Sequence, residues 1–326
     1  MIPHRFSIYS SHAFDPSRAI LLSTVPDPIF VVKQTTPLQP LLDSGALPPD
    51  IELQVAENGR VPRAFITREL LLFDVAQSDD PDDPWMVSFC PICNAGAQFH
   101  AKHNGIHYTF GAGGIYNAMA ILRDINTGSY WDHIRGLCMY GEKAGTQLEQ
   151  VGLLRHMTAV SAVQTFPDIQ IARAPLTGAL IEKMDSDDAW RREAQPNWSP
   201  RLAATLIHRD DRLPRYDMGL GVWTAQTARY YSVIKLNMLD NATFNTLDGR
   251  KLFVYVCPSS GFPDAFYTDA THFIWRGDDL VLNNGQYVRE GVVYRTDGKP
   301  IRVSRPLQLL QRWYGFAALF PNTEIF

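Results

Sequence analysis

The chain has 326 residues, a formal net charge of −4 and an isoelectric point of about 6.1. Hydrophobic residues make up 45% of the sequence and charged residues 20%, which excludes a disordered chain and predicts a large buried core. The slightly acidic balance does not favour nucleic acid or an anionic membrane as a partner. The length allows two domains of roughly 150 residues each.

The N-terminal segment lacks the basic region and long apolar run of a secretion signal, and no stretch is apolar for long enough to span a bilayer. We therefore expect a cytoplasmic protein with no membrane partner and no nucleic-acid partner. Four cysteines are too few for a disulfide scaffold in a chain of this length. A close pair of cysteines is then expected to bind a metal or to undergo redox chemistry. The sequence leaves the oligomeric state open.

Four segments follow one another along the chain. Residues 1–49 form an irregular N-terminal lead-in, and residues 50–172 form a first β-rich segment. Residues 173–201 form a polar connection with one short helix, and residues 202–326 form a second β-rich segment. Short apolar runs separated by turn dipeptides predict an α+β fold that is mostly antiparallel sheet.

The two β-rich segments share a pattern. Cys90-Pro91 and Cys257-Pro258 each end an apolar run, and each is followed by a Phe-Pro pair, at Phe166 and Phe320. A paired match in the same order is typical of an internal repeat, so we expect two related halves. The second half keeps one cysteine where the first has two, and we expect Cys257 to be structural.

Helical periodicity is scarce in the sequence. It is clearest over residues 153–165 and 307–319, which precede the two Phe-Pro pairs. These stretches predict that each half ends in a helix packed on its sheet.

Cys90-Pro91-Ile92-Cys93 closes the first of the two apolar runs. Pro91 fixes its own φ and removes a backbone donor, which leaves a tight turn able to direct both sulfur atoms to one point. The residues that follow predict a strand, whereas thioredoxin-like chemistry needs a helix whose N-terminus stabilises the thiolate. Metal binding is one interpretation of this motif, and two buried, inert thiols are the other.

Three histidines lie on the next predicted hairpin, at His100, His103 and His107. Asn104-Gly105 predicts a two-residue turn between its strands. The resulting pairing places four residues on a buried face: Phe99, Ala101, Tyr108 and Phe110. His100 and His107 then face water and His103 lies beside the turn, so we do not expect these histidines to bind a metal.

A second predicted hairpin turns at Arg135-Gly136. A two-residue turn there pairs His133 with Cys138 and Trp131 with Tyr140 on one face. If that face points at the cysteine pair, three thiols and one imidazole form a set that can bind zinc, iron or copper. In the alternative interpretation Trp131 and Tyr140 are core residues and Cys138 fills space beside them.

A larger set of residues has the order and spacing of a known family motif: Cys90-Pro91-Ile92-Cys93, Phe99, Thr109-Phe110-Gly111, Gly114, Tyr116-Asn117, Asp124, Thr127-Gly128-Ser129, Trp131, Gly136, Gly141 and Ala144-Gly145-Thr146. This set resembles a bacterial family described only as domain of unknown function 3179. Its pattern is similar to Cys-Pro-x-Cys-Gly, then Thr-Phe-Gly-x-Ser-Gly, then Tyr-Asp-Arg-x-Thr-Gly-Ser-x-Trp-x-Gln. The resemblance covers most of the chain and implies no particular reaction.

The chain departs from that family pattern at four positions. Asn94 stands where the pattern has Gly, and Ile125 where it has Arg. His133 replaces Gln, and Cys138 replaces a small residue. The last two are the pair that the predicted hairpin brings face to face, which favours a specialised metal or redox site.

Three functions fit these residues. The first is a metal-dependent oxidoreductase that acts on a small molecule and uses copper or iron, because thiolate-rich sites favour soft metals. Its expected metal ligands are Cys90, Cys93, His133 and Cys138, and its expected catalytic, pocket-lining residues are Tyr116, Trp131 and Tyr140. The second is a non-catalytic protein whose cysteine turn holds zinc or has only a structural role. The third is a redox protein that cycles Cys90 and Cys93 between dithiol and disulfide.

Overall fold

The computed structural model describes residues 14–192 and 198–326. Residues 1–13 of the predicted lead-in and residues 193–197 of the predicted polar connection lie outside the described residues. Within the described parts the fold is rich in β-structure and most strand pairs are antiparallel, as predicted. No helix in these parts is both long and apolar enough to cross a bilayer.

The first part of the chain contains seventeen of the described strands. They are β1 (Ile20–Leu21), β2 (Phe30–Val32), β3 (Thr36–Pro37), β4 (Glu52–Ala56), β5 (Arg63–Ile66), β6 (Val75–Ser78), β7 (Trp85–Cys90), β8 (Ala95–His100), β9 (Lys102–His103), β10 (Ile106–His107), β11 (Phe110–Tyr116), β12 (Met119–Asp124), β13 (Tyr130–Asp132), β14 (Cys138–Tyr140), β15 (Glu149–Leu153), β16 (Arg155–Thr158) and β17 (Gln170–Ala172). The helices here are a 3-10 turn (Pro16–Arg18), α1 (Leu38–Asp43), α2 (Thr67–Leu70), α3 (Ala159–Thr165) and α4 (Gly178–Arg192).

The remaining strands are β18 (Met218–Trp223), β19 (Ala228–Ser232), β20 (Ala242–Leu247), β21 (Arg250–Val256), β22 (Pro263–Tyr267), β23 (Phe273–Arg276), β24 (Asp279–Leu282), β25 (Tyr287–Arg289), β26 (Val292–Tyr294), β27 (Leu307–Arg312) and β28 (Glu324–Ile325). They are accompanied by α5 (Pro200–Thr205), α6 (Val233–Asn237) and α7 (Trp313–Leu319). Among the described residues the longest helix is α4, with 15 residues, so the polar connection is more helical than predicted.

Two of the sheets have corresponding strand orders. One runs β16-β4-β5-β17-β3 and the other β27-β18-β19-β28. In each, the first two neighbouring pairs are antiparallel, and the third is parallel. In each, a helix also follows the first strand directly, α3 after β16 and α7 after β27.

The two stretches of predicted helix are only partly helical. Residues 155–158 and 307–312 form the strands β16 and β27, and the helices begin after them, at Ala159 and Trp313. The prediction was wrong for the first part of each stretch because β16 pairs with β4 and β27 pairs with β18. Hydrogen bonds to a neighbouring strand outweigh a local helical pattern, which is a weak preference.

The hairpin at Asn104-Gly105 is confirmed near its turn. His103 pairs with Ile106 and Lys102 with His107, and both turn residues have positive φ. Its four predicted core residues are buried in one side-chain cluster. Farther from the turn the pairing differs, because β8 pairs with β7 and β15 and no longer with the returning strand. Gln98, on β8 between these two strands, is buried.

The core around the cysteine turn is shared by both parts of the chain. Cys90 and Cys93 belong to a cluster that also contains Trp223, Trp313 and Phe316. Burial of one large apolar side chain stabilises a fold by about 1.5–3 kcal/mol, so this shared cluster ties the two parts together. The cysteines therefore lie at an internal junction and not in a surface loop.

Candidate metal centre

The cysteine turn connects the adjacent strands β7 and β8. Cys90 forms the last backbone pair of the hairpin, with Ala95. Asn94 has a φ of 62°, and its N–H donates to the carbonyl of Cys90 at 2.8 Å. Asn is one of the few residues that adopt this left-handed conformation readily, so it can replace the Gly of the family pattern at this position. The turn brings the N–H of Cys93 to 3.3 Å from the Sγ of Cys90.

His133 reaches the same point from a different hairpin. The carboxylate of Asp132 accepts hydrogen bonds from the N–H groups of Ile134 and Arg135, at 2.8 and 2.7 Å. The Oγ of Ser88, on β7, donates to the carbonyl of His133 at 2.5 Å. These contacts orient the histidine so that its Nε2 lies 3.6 Å from the Sγ of Cys93. Asp at the start of a turn commonly binds the following N–H groups in this way.

Three donor atoms meet as a result. The sulfur atoms of Cys90 and Cys93 and a ring nitrogen of His133 all lie within 4.8 Å of one another. Both cysteines are 0% exposed and His133 is 2% exposed. Two thiols and one imidazole are ligands typical of zinc, copper and iron.

Burial and hydrogen bonds shift the pKa values of the two thiols in opposite directions. Burial alone raises the pKa of Cys90, but hydrogen bonds from Cys93 and from the backbone N–H of Ala120 outweigh it, so this pKa lies below the ordinary thiol value. Burial raises the pKa of Cys93 well above that value, and the neighbouring Cys90 adds to the effect. Cys90 is therefore the first of the pair to form a thiolate, with Cys93 as its hydrogen-bond donor.

The imidazole of His133 is neutral at pH 7. Burial lowers its pKa to about 4, although the charge of Asp132 opposes this shift. Its Nδ1 is buried and has no hydrogen-bond partner among residues 14–192 and 198–326. A neutral imidazole keeps a lone pair available for a metal ion.

The C-terminal strand β27 and helix α7 close the site from the other side. The side chain of Gln311 contacts Cys93, and its Oε1 is buried without a partner in the described part of the chain. The backbone N–H of Arg312 donates to the carbonyl of Cys93 at 3.0 Å. Gly315 packs against the site, since a Cβ there would lie 3.2 Å from the Cβ of Cys93. Sequence reasoning missed these residues because no local motif marks them.

A cleft opens on the outer side of the same turn. Its volume is about 1310 Å³, and its walls come from both parts of the chain. Asn94, Arg312 and Tyr314 line the cleft and also border the cysteine turn. The cleft therefore shares residues with the surroundings of the cysteine turn, although Cys90, Cys93 and His133 do not themselves line it.

The model of a family described as a protein of unknown function (DUF3179) matches residues 37–275. The chain belongs to this family. No curated protein and no solved structure matches the chain. The DUF3179 match includes the three donor residues and ends before β27 and α7, which cover them.

The predicted pairing of His133 with Cys138 in this DUF3179 protein is wrong. Trp131 pairs with Cys138, and Tyr130 with Tyr140, with a bulge between the two pairs. The reason is that the turn begins earlier than predicted. The carbonyl of Asp132 accepts from the N–H of Gly136 at 2.9 Å, so His133 lies within the turn and not on the strand.

Three of the four predicted metal ligands come together, and Cys138 does not join them. It lies in a different core cluster, with Trp131, and its Sγ lies 3.7 Å from the carbonyl of Tyr140. Burial raises the pKa of Cys138 to about 11, which favours the neutral thiol. Its position matches the alternative interpretation, in which Cys138 fills space beside a core tryptophan.

The aromatic residues predicted to line a substrate pocket lie in two other places. Trp131 is fully buried in the core, where its Nε1 donates to the carboxylate of Asp124 at 2.8 Å. Tyr116 and Tyr140 pack on Phe14, at ring-centroid distances of 4.5 and 5.3 Å. None of these three predicted residues lines the cleft beside the DUF3179 cysteine turn.

Proposed function

We propose that the protein is a metal-dependent oxidoreductase that acts on a small molecule at a centre formed by Cys90, Cys93 and His133. The observation that carries the proposal is the convergence of two sulfur atoms and one imidazole nitrogen within 4.8 Å. The three residues come from two hairpins, and each is held by backbone hydrogen bonds. Copper and iron are the metals we expect, because both accept thiolate and imidazole ligands and both change oxidation state by one electron.

Charge balance supports a metal at this position. Two thiolates buried side by side repel each other and are costly to remove from water. A divalent cation would neutralise both charges, and His133 would add a third ligand without adding charge. The low pKa of His133, about 4, keeps its imidazole in the form that binds metals.

Gln311 is our candidate for the fourth ligand. Its Oε1 is buried and lacks a partner among the described residues, and the Nε2 of the same amide group donates to Cys93. Buried acceptors without a hydrogen-bond partner are uncommon in folded proteins, so we expect this atom to bind a ligand. A bound cation would supply that partner, and a small molecule in the neighbouring cleft would reach the centre past Asn94 and Arg312.

A structural zinc site is the second candidate, and one observation favours it. Both cysteines are 0% exposed. Structural zinc sites are closed, whereas catalytic sites keep one position open to water or substrate. This candidate shares the ligands of the first and differs in having no turnover.

Burial also weighs against dithiol exchange at Cys90 and Cys93. Exchange requires a thiolate to attack a sulfur atom of the partner disulfide, so the sulfur must be reachable. We propose a reducing cytoplasmic location, in which the four free cysteines would remain thiols.

Cobalt(II) titration of metal-free protein tests the proposal. We expect one equivalent to produce intense sulfur-to-cobalt charge-transfer absorption, and the Cys93→Ser protein to lose most of it. The Cys257→Ser protein is the matched control, because Cys257 is buried in the equivalent turn after β21 but has no second cysteine beside it. Absence of the band in the folded native protein would refute the metal centre.

Redox turnover separates the two candidates that share this centre. The native protein loaded with copper or iron is expected to oxidise or reduce a small molecule, with activity lost on chelation. A protein that binds zinc tightly, melts at a lower temperature after chelation and shows no turnover with any redox metal would support the structural candidate instead.

We also propose that the two parts of the chain derive from an internal repeat. The corresponding sheet orders, β16-β4-β5-β17 and β27-β18-β19-β28, support it. So do the two cysteine turns, in which the residue four positions after each cysteine, Asn94 or Gly261, donates its N–H to that cysteine's carbonyl. Only the first copy would then have kept the metal ligands.

A further inference from the structure

The cleft beside the cysteine turn is rich in arginine. Six arginines and four carboxylates line it, an excess of two positive charges among the described lining residues. The arginines are Arg191, Arg192, Arg209, Arg212, Arg215 and Arg312, and the carboxylates are Glu52, Asp210, Asp211 and Asp217. The net charge of the whole protein is −4, so this local excess is opposite in sign to the molecule as a whole.

Half of these arginines already have carboxylate partners. Arg191 and Arg192 contact Glu52, at 2.6 and 3.4 Å, and Arg212 contacts Asp210 at 2.6 Å. For Arg209, Arg215 and Arg312 the described residues provide no carboxylate within ion-pair distance. These three arginines therefore have no carboxylate partner of their own, whereas Arg191 and Arg192 also pair with Asp188, at 3.2 and 3.0 Å.

Arg312 is the most informative of the three because it is only 2% exposed. Its guanidinium donates to the backbone carbonyls of Ile92, at 3.1 Å, and Arg191, and lies 5.1 Å from the ring of Tyr216. Neutral carbonyls orient the cation but do not balance its charge. A buried cation without a counter-charge is unfavourable, and an anion in the cleft would remove that penalty.

Two further donors in the cleft lack partners. The Nε1 of Trp198 and the hydroxyl of Tyr216 are buried, and neither has a hydrogen-bond partner among the described residues. Arg215 lies over both rings, 5.1 and 5.7 Å from their centroids. Buried donors are nearly always satisfied in folded proteins, so a group of unpaired donors beside a cation indicates a missing acceptor.

One acceptor in the cleft is also unpaired. The Oδ2 of Asp217 is buried without a partner in the described residues, while its Oδ1 accepts from Ser232 at 2.8 Å. A hydroxyl group on the ligand would suit it. The donors still outnumber this single acceptor, and the charge excess remains positive.

We propose that this cleft binds a small organic anion, with a carboxylate or phosphate group placed between Arg215 and Arg312. Arginine binds both groups through paired N–H donors. The ring of Tyr216 lies 5.7 and 5.1 Å from the two guanidinium groups, and its unpaired hydroxyl is an additional donor. The identification of this anion as the substrate rests on the proposed function, because Arg312 also contacts the cysteine turn. Anion binding itself requires no metal.

Calorimetric titration of metal-free native protein tests the proposal, with pyrophosphate and citrate as separate probes for the phosphate and carboxylate classes. We expect one of the two to bind with one site per chain. The Arg215→Gln protein should bind that probe at least about tenfold more weakly. The Arg276→Gln protein, which loses an exposed arginine on β23 outside the cleft, should bind it like the native protein.

The Tyr216→Phe protein provides an independent check, because it loses only one hydroxyl and keeps the ring. It should weaken binding about threefold or more while leaving the melting temperature of the free protein unchanged. No binding of either probe, or equal weakening by Arg215→Gln and Arg276→Gln, would overturn the proposal. Cobalt titration of the same proteins reports on the metal centre separately, so failure of one proposal is distinguishable from failure of the other.

Discussion

The Nε2 of His133 lies 3.6 Å from the Sγ of Cys93, although the two residues are 40 positions apart in the chain. Two hairpins must fold and pack before these atoms meet. Each hairpin orients its residue with its own backbone hydrogen bonds, the first through Asn94 and the second through Asp132. The site is therefore largely formed before any ligand binds, which is what a metal centre requires.

Asp132→Ala should weaken metal binding without removing a ligand. The carboxylate of Asp132 is buried and accepts from two backbone N–H groups that would lose their partner. We expect a loss of about 3 kcal/mol in the free energy of unfolding, because each unsatisfied buried donor costs about 1–3 kcal/mol. The affinity for cobalt should fall about 10- to 100-fold, as is typical when a residue that orients a ligand is lost.

Asp297→Ala is the control for that change. Asp297 also accepts a backbone N–H two residues ahead, at 3.1 Å, but it is exposed and is not one of the residues that form or close the centre. Denaturant unfolding and cobalt titration of both proteins check the prediction. Equal cobalt affinities in the two variants would show that Asp132 does not position His133.

Gly315→Ala should disturb the centre by changing how α7 packs against it. A Cβ at this position would lie 2.7 Å from the Nε2 of Gln311 and 3.2 Å from the Cβ of Cys93. Replacing a glycine within a helix by alanine normally stabilises the folded protein by about 0.5–1 kcal/mol. Overpacking a close contact destabilises it by about 1–3 kcal/mol. We expect a net loss of stability and weaker cobalt binding.

Gly178→Ala tests that interpretation with the same chemical change. Gly178 begins α4, and a Cβ there would have no neighbour within 4 Å. This variant should keep the cobalt affinity of the native protein and should not be destabilised. Thermal unfolding and cobalt titration measure both effects, and a Gly315→Ala protein that behaves like Gly178→Ala would refute close packing at the site.

Glu52 should give the protein part of its resistance to acid. Burial alone would raise its pKa, but His156, Arg191 and their hydrogen bonds outweigh burial and lower the pKa to about 2 from an ordinary 4.5. A lowered pKa in the folded state adds stability that is fully present above pH 4.5 and is lost as the pH falls toward 2. The shift corresponds to about 3 kcal/mol at neutral pH.

The Glu52→Gln protein should accordingly be less stable than the native protein at pH 7, and its stability should change less between pH 4.5 and 2. Glu182→Gln is the control, because Glu182 is exposed on α4. Denaturant unfolding as a function of pH checks the prediction. Parallel curves for native and Glu52→Gln proteins would contradict the assignment.

The cysteine turn could be predicted from the sequence because its determinants are local. Pro91 and the apolar run before it indicate a strand that ends in a tight turn, and the structure has that turn. The hairpin at Asn104-Gly105 was predictable for the same reason. His133 was identified from its chemistry, but its predicted register was wrong because the side chain of Asp132 starts the turn early.

The contribution of β27 and α7, which close the site, could not be predicted from the sequence. Gln311 and Arg312 belong to a stretch whose local pattern is helical, and only pairing with β18 makes it a strand. Trp131 and Cys138 lie in a different core cluster from Cys90 and Cys93, because a residue on the predicted hairpin can still face another part of the core. Long-range packing decides these positions, and a single sequence carries no record of it.

Metal content per chain is the most direct test of the central claim. The native protein, purified without a chelating tag, should contain about one equivalent of a transition metal by elemental analysis, as a single centre requires. The Cys93→Ser protein should contain little or none, and the Cys138→Ser protein should match the native protein because Cys138 lies in a separate core cluster. A folded native protein that neither contains nor takes up metal, or a Cys93→Ser protein that retains a full equivalent, would contradict the account.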